Sequence, residues 1–349
     1  MRARLRRRCQ DDSPDTHGTK PDMKRRQFIE LAAAALAAGV AGACAPRADL
    51  RHRAAGTDPL QPMDAAQFRA LRRVASTRFG DIVYVERGMG PAALFLHAHP
   101  LNGFQWRGAL ERLSEHRRCI APDFLGLGYT RVASGQSVTP AAQAAMLVAL
   151  LDKLGLADVD LIANDSGGAV AQLFVAHHPQ RVRTLLLTNC DEEQDSPPPT
   201  LAPLIALARA GKSTDVFPGW LTNKASARVT FGGAVYADPA ILTDEAIDYY
   251  FSPLISSPGQ RALVDATLVG FEPNPLAGIG PALKRCKAPT RIVWGADDKI
   301  FSPDSPDRLD RSFGNSRGVR RLAGSKTFWP EELPDLLAME AQQLWEAPV

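Results

Sequence analysis

The run DLIANDSGGAVAQLF, residues 160–174, sets an aspartate beside a serine where an apolar stretch gives way to glycines. Asp165 and Ser166 each carry a side chain able to act as a nucleophile. The residues before them fit a buried strand and those after them fit a helix. A strand that turns at once into a helix around one polar side chain is a nucleophile elbow, and its central residue is held in a strained backbone conformation. The turn is tight, so the residues two places to either side must be small. Centred on Asp165 these are Ala163 and Gly167; centred on Ser166 they are Asn164 and Gly168. Asn is too large for that position, so the register favours Asp165 and leaves Ser166 as the weaker candidate. Taken alone, Asp165 could equally be a helix N-cap.

An elbow needs a sheet to stand on. Short apolar runs at 92–99, 117–124, 159–165, 182–190, 289–298 and 319–324 read as strands, several of them covered on both faces. Helix-like segments alternate with them from about residue 79. TPAAQAAMLVALLDKLG starts on a Thr cap and stops at a Gly, and the helix after the elbow is ended by Pro179. Such alternation predicts an α/β fold, a mostly parallel sheet with helices on both faces. Residues 191–285 break the rhythm, with SPPPT and helical patches but no convincing strand. They read as an inserted helical cap between core segments 59–190 and 286–349.

Four segments, in order, resemble the α/β-hydrolase superfamily over roughly residues 79–346. LFLHAHPLNGFQWR is similar to its His-Gly-x-Pro segment and CIAPDFLGLGYT to its Asp-x-x-Gly-x-Gly turn. ANDSGGAVAQLFVAHHPQRV is similar to its elbow and IVWGADDKIFSP to the strand end that carries an acid. The Asp-type elbow looks most like the branch of epoxide hydrolases and haloalkane dehalogenases. The resemblance implies that Asp165 forms a covalent ester with substrate, and that the backbone N–H groups of His99 and Ser166 form an oxyanion hole. It implies that Asp298 orients a catalytic His, with Asp191 as a substitute acid and Asp297 as a turn residue.

That His is missing. In the superfamily it lies in a stretch like Gly-x-x-His-Phe; here LAGSKTFWPEE puts Thr327 before Phe328, and no His follows His178. A hydroxyl cannot take a proton from water near neutrality. Three readings stay open: another base, with His99 best placed; a reaction that needs none, as in a lyase; or a binding protein on the same scaffold. His97, His177 and His178 match structural positions. A Trp that follows the nucleophile in dehalogenases is replaced by Ser166, so dehalogenation is disfavoured. Epoxide hydrolases use two cap tyrosines, and Tyr236, Tyr249 and Tyr250 lie in the cap. The implied function is a hydrolase of a small, largely apolar ester or epoxide; a serine esterase using Ser166 is the weaker alternative.

The 349 residues, 45% hydrophobic, can bury a large core, and a net charge of +3 gives no reason to expect a nucleic-acid partner. Neither a P-loop nor a dinucleotide fingerprint occurs, and five cysteines show no metal or redox spacing, so no cofactor or metal is expected. The partner is a small-molecule substrate. Residues 1–58 read as an export signal and linker, with Met23 as a candidate start. Arg25 and Arg26 precede Phe28 and an apolar segment from Leu31 to Ala43 too short to span a bilayer. This resembles a twin-arginine signal, and AGAC resembles a lipoprotein site with Cys44 as the lipidated residue. The expected location is periplasmic, free or membrane-anchored through Cys44. Replacing Arg25 and Arg26 with Lys should leave precursor in the cytoplasm; unchanged export of the double variant contradicts this reading.

Overall fold

The computed structural model describes residues 61–346, so the segment read as an export signal, with Arg25, Arg26 and Cys44, lies outside the described residues. A nine-stranded sheet runs β1 (Arg72–Thr77), β2 (Gly80–Arg87), β4 (Arg118–Pro122), β3 (Ala92–Leu96), β6 (Val159–Asp165), β7 (Val182–Cys190), β8 (Thr290–Gly295), β9 (Ser316–Leu322). The short β5 (Arg131–Val132) pairs with β2. Pairings from β4 through β9 are parallel, and β2 is antiparallel to both β1 and β4.

Every residue of β3 and β6 is buried, odd and even positions alike. Since alternate side chains point to opposite faces, both faces of the central sheet are covered. Helix Ser166–His177 packs on β6 and β7 and against helix Pro140–Lys153, while helix Pro334–Glu346 packs against helix Arg107–Leu113. Thr139 caps the second of these helices by accepting the N–H of Ala142, as its sequence predicts. Between β7 and β8 the chain is helical throughout its regular elements, from Ala202–Arg209 to Gly280–Arg285.

The sequence reading places the start of the alternation near residue 79 but names no strand before 92–99, so it misses β2 and also β1. That strand is an edge strand with a mixed burial pattern, and Val74 in it is 60% exposed. Without a buried face it carries no period-2 signal.

Two loops beside the elbow are braced by buried polar groups. Asp123 accepts the N–H of Gly103 at 2.8 Å and of Tyr129 at 2.9 Å, tying the turn after β4 to the segment after β3. His97 accepts the N–H of Phe124 on Nε2 at 3.0 Å. Its proton therefore sits on Nδ1, 2.9 Å from the Ala98 carbonyl. Both ring nitrogens are occupied, so His97 is structural.

The elbow demands close approach on its helix side. A Cβ on Gly167 would lie 2.5 Å from the Leu96 carbonyl oxygen and 2.8 Å from that of His97. A Cβ on Gly168 would meet Cys190 Sγ at 2.6 Å. Gly167→Ala should therefore cost about 1–3 kcal/mol by urea unfolding. Gly219→Ala, at an exposed position of helix Phe217–Thr222 with nothing within 4 Å of the added carbon, should be neutral or stabilising. Equal effects of the two substitutions would contradict the packing argument.

Candidate active site

Asp165 ends β6, directly before the helix Ser166–His177, with φ 55° and ψ −129°. Among the described residues it alone has a positive φ without being glycine. A side chain in that region costs of order 1–3 kcal/mol and persists only where the surroundings enforce it. Here the enforcement is the Gly167 contact with β3 and the pairing of Asp165 with Cys190 in β7. Ser166 lies inside the helix with no such conformation.

The carboxylate is aimed at backbone donors. His99 N–H donates to Asp165 Oδ1 at 3.0 Å. The Ser166 backbone N–H and hydroxyl also hydrogen-bond the carboxylate. Burial still dominates and lifts the carboxyl to about 6, against the pull of the two N–H groups, with Asp298 adding a smaller upward push. Asp165 is thus a buried carboxyl with Oδ1 held by the His99 N–H and with Ser166 beside it.

Asp298 follows β8. Its Oδ2 accepts from Asn189 Nδ2 at 2.7 Å, and its Oδ1 accepts from the Ile300 N–H at 2.7 Å and the Thr327 hydroxyl at 2.9 Å. Burial raises its pKa, opposed by these same donors. Thr327 therefore meets Asp298 with its hydroxyl proton pointed at the acid. Asp191 has another neighbour: its Oδ1 accepts from Ser196 Oγ at 2.9 Å. Burial, then the charge of Asp165, pushes its carboxyl well above the usual range. Asp297 is exposed.

His99 brings its backbone to the hole, but its ring is a poor base. Desolvation lowers its pKa to about 3, so the imidazole is neutral and too weak to take a proton from water near pH 7. Its Nε2 is buried without a hydrogen-bond partner. The ring joins Ser166, Leu127, Val138, Val170 and Phe271 in lining a mainly apolar cleft. The free volume of the cleft, about 20 Å³, holds one or two waters.

The cap tyrosines do not serve the cleft. Tyr236 and Tyr250 donate their hydroxyls to Glu331 at 2.6 and 2.8 Å, and Arg107 pairs with the same carboxylate. Tyr249 packs against Phe104, 4.5 Å between ring centroids, and beneath Arg72. The three cap tyrosines that the resemblance to epoxide hydrolases draws attention to are thus engaged in packing and in the Glu331 cluster.

Sequence reasoning missed the supporting amides. Asn164 Nδ2 donates to the Thr327 carbonyl at 3.0 Å and to Thr188 Oγ1 at 3.0 Å, and its Oδ1 accepts from Gln105 Nε2 at 2.8 Å. Asn189 joins Asp298 to the Gly295 N–H. The available signal was an amide inside each of two apolar strand runs, where an unpaired polar group is costly. Among the described residues no group of three or more His, Cys, Asp or Glu could hold a metal ion.

A family profile described as alpha/beta hydrolase fold matches residues 91–230. Haloalkane dehalogenase 2 of Mycobacterium tuberculosis is 27% identical over 287 residues, covering 80% of this chain and 95% of that protein. Epoxide hydrolase 2 of Siraitia grosvenorii is 42% identical over 101 residues, 28% of this chain and 32% of that one. Among solved structures, haloalkane dehalogenase DbeA from Bradyrhizobium elkani USDA94 superposes with a TM-score of 0.65 at 22% identity, over 79% of this chain and 99% of its own. At that identity the likeness is one of fold.

The elevated carboxyl of Asp165 makes a stability prediction. In the unfolded chain an Asp titrates near 4, below its folded value of about 6. The unfolded state thus loses its proton first, and rising pH through this window favours unfolding. Asp165→Gly removes the charge and tolerates the backbone conformation, so it should stabilise the fold. Its gain should be larger at pH 8 than at pH 4 by up to about 3 kcal/mol. Chemical denaturation at the two pH values measures this; a destabilised variant at pH 8 contradicts it.

Proposed function

The chain belongs to the α/β-hydrolase superfamily, and from that premise we propose an enzyme that attacks a small, largely apolar ester or epoxide with Asp165. One observation carries the reading: strain and two backbone donors converge on a single carboxylate. The oxygen held by His99 becomes the ester carbonyl oxygen, which leaves the other as the attacking atom. On an epoxide its lone pair forms the bond to a ring carbon while the C–O bond breaks toward the oxygen, which stays tethered as an alkoxide and leaves an ester on Asp165; on an ester substrate, attack at the acyl carbon expels the alkoxide and leaves a mixed anhydride instead. When water later adds to the ester carbon, the developing charge falls on the oxygen already facing the two N–H groups. Tyr236 and Tyr250 are committed to Glu331, so neither is free to protonate a leaving alkoxide.

Asp298 and Thr327 support a second reading in which the adduct is released without water, because the side chain at the base position is a hydroxyl bonded to the acid. The twin arginine and Cys44 support an exported protein, lipid-anchored if Cys44 is modified.

Covalent labelling with a small aliphatic epoxide tests the nucleophile. Peptide mapping should find the label on Asp165 and none in Asp165→Ala. Ser166→Ala keeps its backbone N–H and should label within about tenfold of the parent rate, the scale of losing one weak contact of about 1.4 kcal/mol. Label on Ser166, or loss of labelling in Ser166→Ala alone, contradicts the assignment.

A further inference from the structure

We propose that the enzyme captures faster than it releases: one equivalent of substrate is taken onto Asp165 rapidly, and the resulting ester is the state in which the protein accumulates. This rests on Asp165 being the nucleophile. It concerns the second half of the reaction, which the assignment of a nucleophile leaves open.

The two halves make different demands. Capture needs a carboxylate, an electrophilic carbon and a leaving group, and the elbow supplies the first. Release needs a water oxygen to bond to the ester carbon while a base takes its proton; the ester C–O bond to Asp165 then breaks and the alcohol leaves. Each candidate for that base is already engaged. The Thr327 hydroxyl donates to Asp298 Oδ1. Asp298 accepts from Asn189 on Oδ2 and from Ile300 and Thr327 on Oδ1. His97 has both ring nitrogens bonded. Asp191 is turned to Ser196. His99 is the unpartnered group, and its desolvated ring is too weak a base.

Of the polar residues lining the cleft, Gln143 is bonded to Leu125 and Val138, the Thr267 hydroxyl donates to the Val264 carbonyl, and His99 Nε2 has no partner. The loop bearing Thr327 is also fixed from two sides. Asn164 Nδ2 holds the Thr327 carbonyl, and the Phe328 N–H donates to Val235 of the cap at 2.9 Å. Phe231 and Tyr236 pack on Phe328 at 5.9 and 5.6 Å between centroids.

The test is intact-protein mass spectrometry of the full chain mixed with excess 1,2-epoxybutane, and separately with 1-iodobutane, whose leaving group needs no proton. Expected is a burst of one equivalent, an adduct mapping to Asp165, and steady turnover at least 10²-fold slower than the burst, the usual contribution of a general base. Thr327→His should shorten the life of the preformed adduct by a comparable factor. Steady turnover by the parent protein without adduct, with solvent heavy oxygen entering Asp165, would overturn this inference and leave Asp165 as nucleophile. Neither adduct nor Asp165-dependent turnover with either probe, in folded protein, would overturn both. An adduct lifetime unchanged by Thr327→His, in a variant of parental Tm, would show that the base position does not limit release and would also overturn it.

Discussion

The close approach of Gly167 to the β3 carbonyls is the constraint from which the site follows. A helix that begins that near to a neighbouring strand leaves the preceding residue no ordinary conformation, and Asp165 takes φ 55° as a result. The same geometry lifts its carboxylate toward the N–H groups of His99 and Ser166. The nucleophile and its hole are one construction, made from backbone. Side chains enter mainly to keep that backbone in place, as Asp123 and His97 do for the loops on either side.

Around this construction lies a buried polar belt: Gln105, Asn164, Thr188, Asn189, Asp298 and Thr327 are linked hydrogen bond to hydrogen bond. A belt of this kind is stable only when its members find partners, since each unpaired group in a dry interior is costly. Thr327 is well suited to it. It is fully buried, its hydroxyl satisfies the acid, and its carbonyl satisfies Asn164. The position that resembles the superfamily's base has become a structural joint.

Much of this was legible in the sequence for a physical reason. Central parallel strands buried on both faces are unbroken apolar runs, so β3, β4, β6, β7 and β8 stand out. The elbow register could be read from side-chain size alone, because Ala163 and Gly167 are small and Asn164 is not. Edge strand β1 was not legible, having no buried face to mark it. The amides at 164 and 189 were not, because their partners lie far off in the chain, and spacing does not encode which distant carbonyl a buried amide meets. Tyr236 and Tyr250 could be mistaken for substrate contacts until their shared partner was seen. That partner, Glu331, stands in a segment read for Thr327 alone.

The most direct test of the account is a crystal structure of the protein after exposure to a small epoxide. Continuous density should join one oxygen of Asp165 to a substrate carbon, with the other oxygen between the N–H groups of His99 and Ser166 and Thr327 still bonded to Asp298. Density joined to Ser166 Oγ, or a substrate bound with an unaltered Asp165 turned away from those donors, would contradict it.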